Sequence, residues 1–192
     1  WAHTAIFHSD NVTRTAAVGQ TGAYALTLDG TNDYVSVEPH SGLDLSGGRF
    51  SIAAWVYPSP LDTDPYPIVS SVAYTGSNYA YPFLNVVNRT QLSGGFGTGT
   101  SLATVTTDNV LSTNAWNHVA ATFDGTTYRL YVNGVAQVIT TTFQSTVPAA
   151  TPRFDVGRGG SAASASCARL TNLTLTTLYG ATQVRLKLDS VP

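Results

Sequence analysis

Five tyrosines, Tyr57, Tyr66, Tyr74, Tyr79 and Tyr81, fall in or beside the polar stretch 57–82, interleaved with Asp62, Asp64 and Asn78, and Arg89 follows shortly after. An aromatic face stacks on the C–H face of a sugar ring, and the phenol adds a hydrogen bond. Carboxylate, amide and guanidinium groups can hold hydroxyls. Tyr66, Tyr74, Tyr79, Tyr81, Asp62, Asp64, Asn78 and Arg89 therefore form a candidate ligand surface for a glycan or an extracellular protein. The competing reading is that some of these rings plug the ends of a β-fold. A second cluster, Asp29, Asn32 and Asp33, lies in one polar turn. Calcium takes several oxygen ligands, carboxylates and backbone carbonyls among them, so this turn is the candidate calcium site. Asp and Asn also build turns without any metal.

The same inventory argues against catalysis. Glycoside hydrolysis works through two carboxyl groups flanking the scissile bond. Glu38 is the sole glutamate, and no pair of aspartates alternates along a strand-like stretch. There is no Gly-x-Ser-x-Gly elbow for a nucleophilic serine. His3, His8, His40 and His118 are scattered, without the close spacing of a zinc site. The glycine-rich run 94–99 lacks the Gly-Lys-Ser/Thr ending of a phosphate loop and is expected to be a glycine-rich β-turn.

Strands must position these groups. Over 116–134 the chain alternates with a period of two: Val119, Ala121 and Phe123 face one way, and His118, Ala120 and Thr122 the other. After Asp124-Gly125 the alternation resumes with Tyr128, Leu130 and Val132, and Asn133-Gly134 turns the chain again. Asp-Gly and Asn-Gly supply the positive φ of tight hairpin turns. In 50–57, Phe50, Ile52, Ala54 and Val56 oppose Trp55 and Tyr57, and Pro58 and Pro60 end the strand. Further strands are expected at 68–74, 83–87, 102–106, 153–158 and 170–179, with short ones near 4–7 and 184–188. No window carries a helical period. Short strands with turn signals every 8–12 residues read as a sandwich.

Three stretches also carry a resemblance. The run Trp-Asn-His-Val-Ala-Ala-Thr-Phe-Asp-Gly at 116–125, followed by Tyr-Arg-Leu-Tyr-Val-Asn-Gly at 128–134, is similar to the central hairpin of laminin-G-like domains. Those domains are relatives of the concanavalin A-like lectins and glucanases. The stretches 25–35 and 50–58 resemble the family's earlier core strands, in the family's order. The resemblance implies an all-β jelly-roll sandwich of two antiparallel sheets, laid out over 1–192 as one domain. It also implies calcium near Asp29, although the family's acidic pair in the last strand is here replaced by Leu170-Thr-Asn-Leu173.

Hydrophobic residues make up 43% of the 192, enough for a sizeable core, whereas only 10% are charged, against about 25% in typical domains. The net charge is −2 and Lys187 is the lone lysine, so the electrostatic case for nucleic acid is absent. No apolar run is long enough for a membrane helix. Cys167 cannot form an internal disulfide and is expected to be a small buried hydrophobe. With no methionine, the chain reads as cut from something longer. Asn11-Val-Thr13, Asn88-Arg-Thr90 and Asn172-Leu-Thr174 are N-glycosylation sequons, the third within an expected strand. The expectation is a non-catalytic, extracellular adhesion or carbohydrate-binding module of a larger secreted or surface protein. The alternative is a self-associating structural subunit of an extracellular fibre, surface layer or virus-like assembly, to which 1–10 or 184–188 could donate a strand.

Overall fold

The computed structural model describes residues 5–8, 13–16, 24–27, 34–37, 48–59, 66–71, 82–97, 102–140, 154–157, 169–177 and 183–186. These form β1 (Ala5–His8), β2 (Thr13–Ala16), β3 (Tyr24–Thr27), β4 (Tyr34–Val37), β5 (Phe50–Tyr57), β6 (Tyr66–Ser71), β7 (Phe83–Val87) and β8 (Gln91–Gly97). They continue with β9 (Leu102–Thr106), β10 (Asn117–Phe123), β11 (Tyr128–Val132), β12 (Val135–Thr140), β13 (Phe154–Val156), β14 (Arg169–Thr177) and β15 (Gln183–Leu186).

Among the described residues, seven strands make one sheet in the order β1-β4-β13-β6-β7-β8-β9. Eight make the other: β12-β11-β10-β5-β14-β3-β2, with β15 also paired to β14. All strand pairs are antiparallel. The sheets meet through their apolar faces, because each strand's alternation gives it one apolar side. Phe50, Ile52, Ala54 and Val56 of β5 are buried, as are Val119, Ala121 and Phe123 of β10 and Tyr128, Leu130 and Val132 of β11. Val35, Ile68, Leu84, Val86, Leu92, Phe96, Phe154 and Val156 face them from the seven-stranded sheet. Phe96 crosses the interface, its ring 5.9 Å from Phe50, 5.0 Å from Phe123 and 6.3 Å from Tyr128.

The turns follow the expected chemistry. Asn133 and Gly134 both take positive φ, 51° and 81°, between the paired Val132 and Val135. Gly125 has φ 101° in the preceding turn. There, Asp124 Oδ1 accepts from the backbone of Thr126 at 3.0 Å and of Thr127 at 2.7 Å, and from Thr126 Oγ1 at 2.9 Å. Oδ2 accepts from Arg129 at 2.8 Å. The Arg129 hydrogen bond, followed by those from Thr127 and Thr126, holds the Asp124 carboxyl well below the usual carboxylate range.

Two expectations need correction. The glycine-rich run is strand rather than turn over its described part: Gly94, Gly95 and Gly97 belong to β8 and are buried, while 98–99 lie outside the described residues. A Cβ on Gly94 would sit 2.5 Å from the Tyr128 hydroxyl of the facing sheet, and one on Gly95 would collide with the Ala103 carbonyl of β9. Glycine is there for interior space, not for backbone freedom. β6 starts at Tyr66 rather than at 68 and runs to Ser71; 72–74 of the expected 68–74 lie outside the described residues. Pro67 is accommodated beside a bulge, as the register with β7 shifts between Pro67 and Val69. The described parts of the terminal segments considered for donation to a neighbour pair within the chain, β1 on β4 and β15 on β14. β2 (Thr13–Ala16), paired on β3, had no clear pattern in the sequence. Cys167 lies outside the described residues.

Candidate functional site

Two of the candidate ligand residues lie within the described residues. Tyr66 opens β6, in register with Val86 of β7. Arg89 is exposed in the connection from β7 to β8, at φ 66°. Both therefore mark the same end of the seven-stranded sheet. Thr90 Oγ1 reaches Asn109 Oδ1 at 2.8 Å there, and Gln91 Nε2 donates to the Thr107 carbonyl at 3.1 Å. Asp62, Asp64, Tyr74, Asn78, Tyr79 and Tyr81 lie outside the described residues, as do Asp29, Asn32 and Asp33. The stretch holding Asp62 and Asp64 enters β6 at Tyr66, whereas the stretch holding Tyr74, Asn78, Tyr79 and Tyr81 leaves it at Ser71. At ~3.3 Å per residue these anchor points are roughly 17 Å apart. Among the described residues no group of three His, Cys, Asp or Glu side chains converges as a metal site would.

The structure assembles a different constellation on the outer face of the eight-stranded sheet. The alternation that buries Ile52, Ala54 and Val56 turns Ala53, Trp55 and Tyr57 outward. The alternation of β10 does the same for His118 and Ala120. Antiparallel register sets Trp55 opposite His118 and Val56 opposite Asn117, which brings Trp116 beside Tyr57. The Trp55 and His118 rings meet edge to face at 5.2 Å, and Tyr57 and Trp116 at 5.5 Å. All four rings are half-buried. The next outward positions on the two strands are the paired Ala53 and Ala120, and Tyr131 of β11 pairs with Ala120. The face thus steps from a raised aromatic block to a low alanine floor edged by Tyr131.

The block is held from behind. Asn117 is buried, and its amide nitrogen donates to the carbonyls of Ser112 and Ala115, both at 2.9 Å. Its Oδ1 accepts from the Ser112 backbone at 3.1 Å. The Asn114 backbone donates to the Pro58 carbonyl at 2.8 Å. These bonds fix the loop that presents Trp116 beside the end of β5. His118 is set by the next turn: its backbone N–H donates to Asn133 Oδ1 at 2.9 Å, and its carbonyl accepts from the Asn133 backbone at 2.7 Å. Burial pushes the His118 imidazole below its ordinary pKa, so the neutral ring is favoured against Trp55. The outward direction of Trp55 and Tyr57 is legible in the alternation. Their pairing with His118 and Trp116 is not, since it depends on the β5–β10 register.

The outer face of the seven-stranded sheet carries a polar row instead. Asp155 of β13 lies between Ser36 of β4 and Ser70 of β6, and all three are buried. Ser36 Oγ donates to Asp155 Oδ1 at 3.2 Å. Among the described residues Asp155 is the one carboxylate on this sheet. The Ser36 hydroxyl thus satisfies one oxygen of this buried carboxyl.

Comparison with known proteins agrees with this architecture. The chain superposes on the binding domain of Paraclostridial Mosquitocidal Protein 1 with a TM-score of 0.71 at 12% identity, covering 91% of this chain and 44% of that one. The botulinum neurotoxin serotype G binding domain matches with a TM-score of 0.68 at 13% identity, over 90% of this chain and 42% of that one. The serotype D ligand binding domain, solved in complex with N-acetylneuraminic acid, matches with a TM-score of 0.67 at 14% identity, over 91% and 42%. The chain thus spans less than half the length of these solved domains, and at such identities the likeness is one of fold. Among curated proteins, none matches the chain significantly. The family model for the concanavalin A-like lectin/glucanase superfamily of laminin-G type matches residues 29–174, which contain both the central hairpin and β5. The two-sheet antiparallel sandwich, its Trp-Asn-His hairpin and this match together place the chain in the concanavalin A-like lectin/glucanase superfamily.

Proposed function

We propose that the chain is a non-catalytic module that binds glycans outside the cell, and that its contact surface is the Trp55, Tyr57, Trp116 and His118 block. The observation that carries this reading is the block itself. Four aromatic rings stand in register on a sheet face that the inter-sheet core does not use. Contiguous aromatic surface of this kind is uncommon on a sheet exterior unless something docks there. A pyranose C–H face can stack on Trp55 or Trp116 while the Ala53–Ala120 floor leaves room for the rest of the ring. The relatives in fold support the reading, because they are toxin binding domains and one is solved with a sialic acid. The low charge, 10% of residues, suits a saccharide better than a highly charged partner.

The test is a glycan panel probed with the wild type and with Trp55→Ala, Trp116→Ala, Tyr66→Ala and Arg89→Ala, each checked for an intact melting transition. Losing one stacked ring removes roughly 0.5–1.5 kcal/mol beyond area burial, about a 2- to 12-fold rise in Kd. The block variants should weaken binding by this amount. Wild-type affinity in both block variants, with loss in Tyr66→Ala and Arg89→Ala, would move the site to the Tyr66–Arg89 end of the other sheet. Absence of binding across the panel would refute the glycan reading.

A further inference from the structure

We propose that Asn88 is an acceptor for an N-linked oligosaccharide. The sequon Asn88-Arg89-Thr90 makes up the whole connection between β7 and β8, since Val87 pairs directly with Gln91. Asn88 and Arg89 are exposed and take φ of 48° and 66°, which turns the chain tightly at the sheet's end. The Asn88 side-chain nitrogen stays on this exterior and donates to Gln91 Oε1 at 2.6 Å. A bulky, hydrophilic glycan is tolerated at such a surface tip.

The other sequons are placed differently. Asn172 lies inside β14, at the register break between Thr171 and Thr174, in a strand paired with β5, β3 and β15. Its backbone thus lies within a paired strand rather than at a hairpin tip. Asn11 lies outside the described residues.

The chemistry balances with an oligosaccharyl diphospholipid as donor. The Asn88 amide nitrogen attacks the anomeric carbon and a C–N bond forms. The bond from that carbon to the diphosphate oxygen breaks, the diphospholipid leaves with the electron pair, and the amide gives up one proton. The glycosylated nitrogen keeps one hydrogen, enough to maintain its bond to Gln91 Oε1. In the folded hairpin the Thr90 hydroxyl is engaged, with Asn109 Oδ1 at 2.8 Å and the Asn88 carbonyl at 3.2 Å as acceptors for its one hydrogen. Transfer therefore takes place on the extended chain, before β7 and β8 pair, and folding then leaves the glycan outside.

The experiment is peptide mapping of the 192-residue chain, expressed behind a cleavable secretion signal in eukaryotic cells. Secreted and cell-retained pools are both mapped, before and after amidase release of N-glycans. The expected result is a glycan on the Asn88 peptide of the secreted pool and none on the Asn172 peptide of that pool, since a chain modified inside β14 is retained. Thr90→Ala and Asn88→Gln should both remove it, and Thr90→Ser should keep it. An unmodified Asn88 peptide in both pools overturns the proposal, as does a glycan that survives Asn88→Gln at that peptide. The aromatic block lies on the opposite sheet, so amidase treatment should leave glycan-panel binding unchanged, and the two proposals fail separately.

Discussion

Gly94 and Tyr128 offer the sharpest test of how the two sheets pack. Gly94 lies in β8 and Tyr128 in β11, and the fully buried Tyr128 ring also meets Phe50 at 6.0 Å and Phe96 at 6.3 Å. In Gly94→Ala the new methyl would sit 2.5 Å from the Tyr128 hydroxyl, 3.2 Å from the Phe83 carbonyl and 3.3 Å from Leu130 Cδ2. The first distance is far inside van der Waals contact, and a buried ring between aromatic neighbours has little freedom to withdraw. Overpacking of this kind costs about 1–3 kcal/mol. The loss of unfolded-chain freedom on replacing glycine returns about 0.4–1 kcal/mol. The net expectation is a destabilisation of up to about 2.6 kcal/mol, centred near 1.3 kcal/mol. For a chain of this size that lowers Tm by up to about 10 °C. Tyr128→Phe removes the atom that the methyl strikes. The double variant should therefore be more stable than the sum of the single variants predicts, by about 0.5–3 kcal/mol in a denaturant-melt cycle. Strict additivity of the two changes would mean that the Gly94 space is not what admits the Tyr128 phenol, and the stated reason for glycine in β8 would fall.

Three further outcomes are expected. His118 is held neutral by burial, so its folded pKa lies below 6.5; the unfolded chain then binds the proton more readily, and stability is full above pH 6.5, declines as pH falls from there toward the folded value, and is level below it. His118→Gln should flatten that part of the stability–pH curve, and an unchanged slope would refute the burial argument. Ser36→Ala withdraws a donor from the buried Asp155 carboxylate and should destabilise by about 1.5–3 kcal/mol in urea melts, whereas a neutral effect would show that the bond contributes nothing. Calcium at Asp29, Asn32 and Asp33 remains the proposal for that turn: EDTA should lower Tm of the wild type by mass action and leave Asp29→Ala unmoved, and a wild type indifferent to EDTA would discard the ion.

Much of the fold was legible in the chain because its signals are local. Period-two alternation separates Phe50, Ile52, Ala54 and Val56 from Trp55 and Tyr57 without any knowledge of neighbours, and the structure buries the first set and half-exposes the second. Asn133-Gly134 encodes its own positive φ angles and so its own hairpin. Pairing within the chain is another matter. Whether 1–7 and 184–188 add to their own sheets or to a neighbour's depends on partners distant in sequence, β4 and β14. The glycines of β8 read as a turn because composition alone cannot distinguish a residue chosen for flexibility from one chosen for lack of volume. The Tyr128 ring and the Ala103 carbonyl, supplied by other strands, decide which it is.

The candidate site divides along the same line. Tyrosine density drew attention to 57–82, a stretch that runs into both ends of β6. A six-residue strand puts the anchors of its two loops at opposite ends. The Trp55–His118 and Tyr57–Trp116 contacts run the other way, joining residues remote in the chain through the β5–β10 register. Sequence could aim each of these side chains outward, since strand geometry alone sets the face. Only the assembled sheet, by selecting which strand lies beside which and at what offset, could make four separate aromatics into one surface.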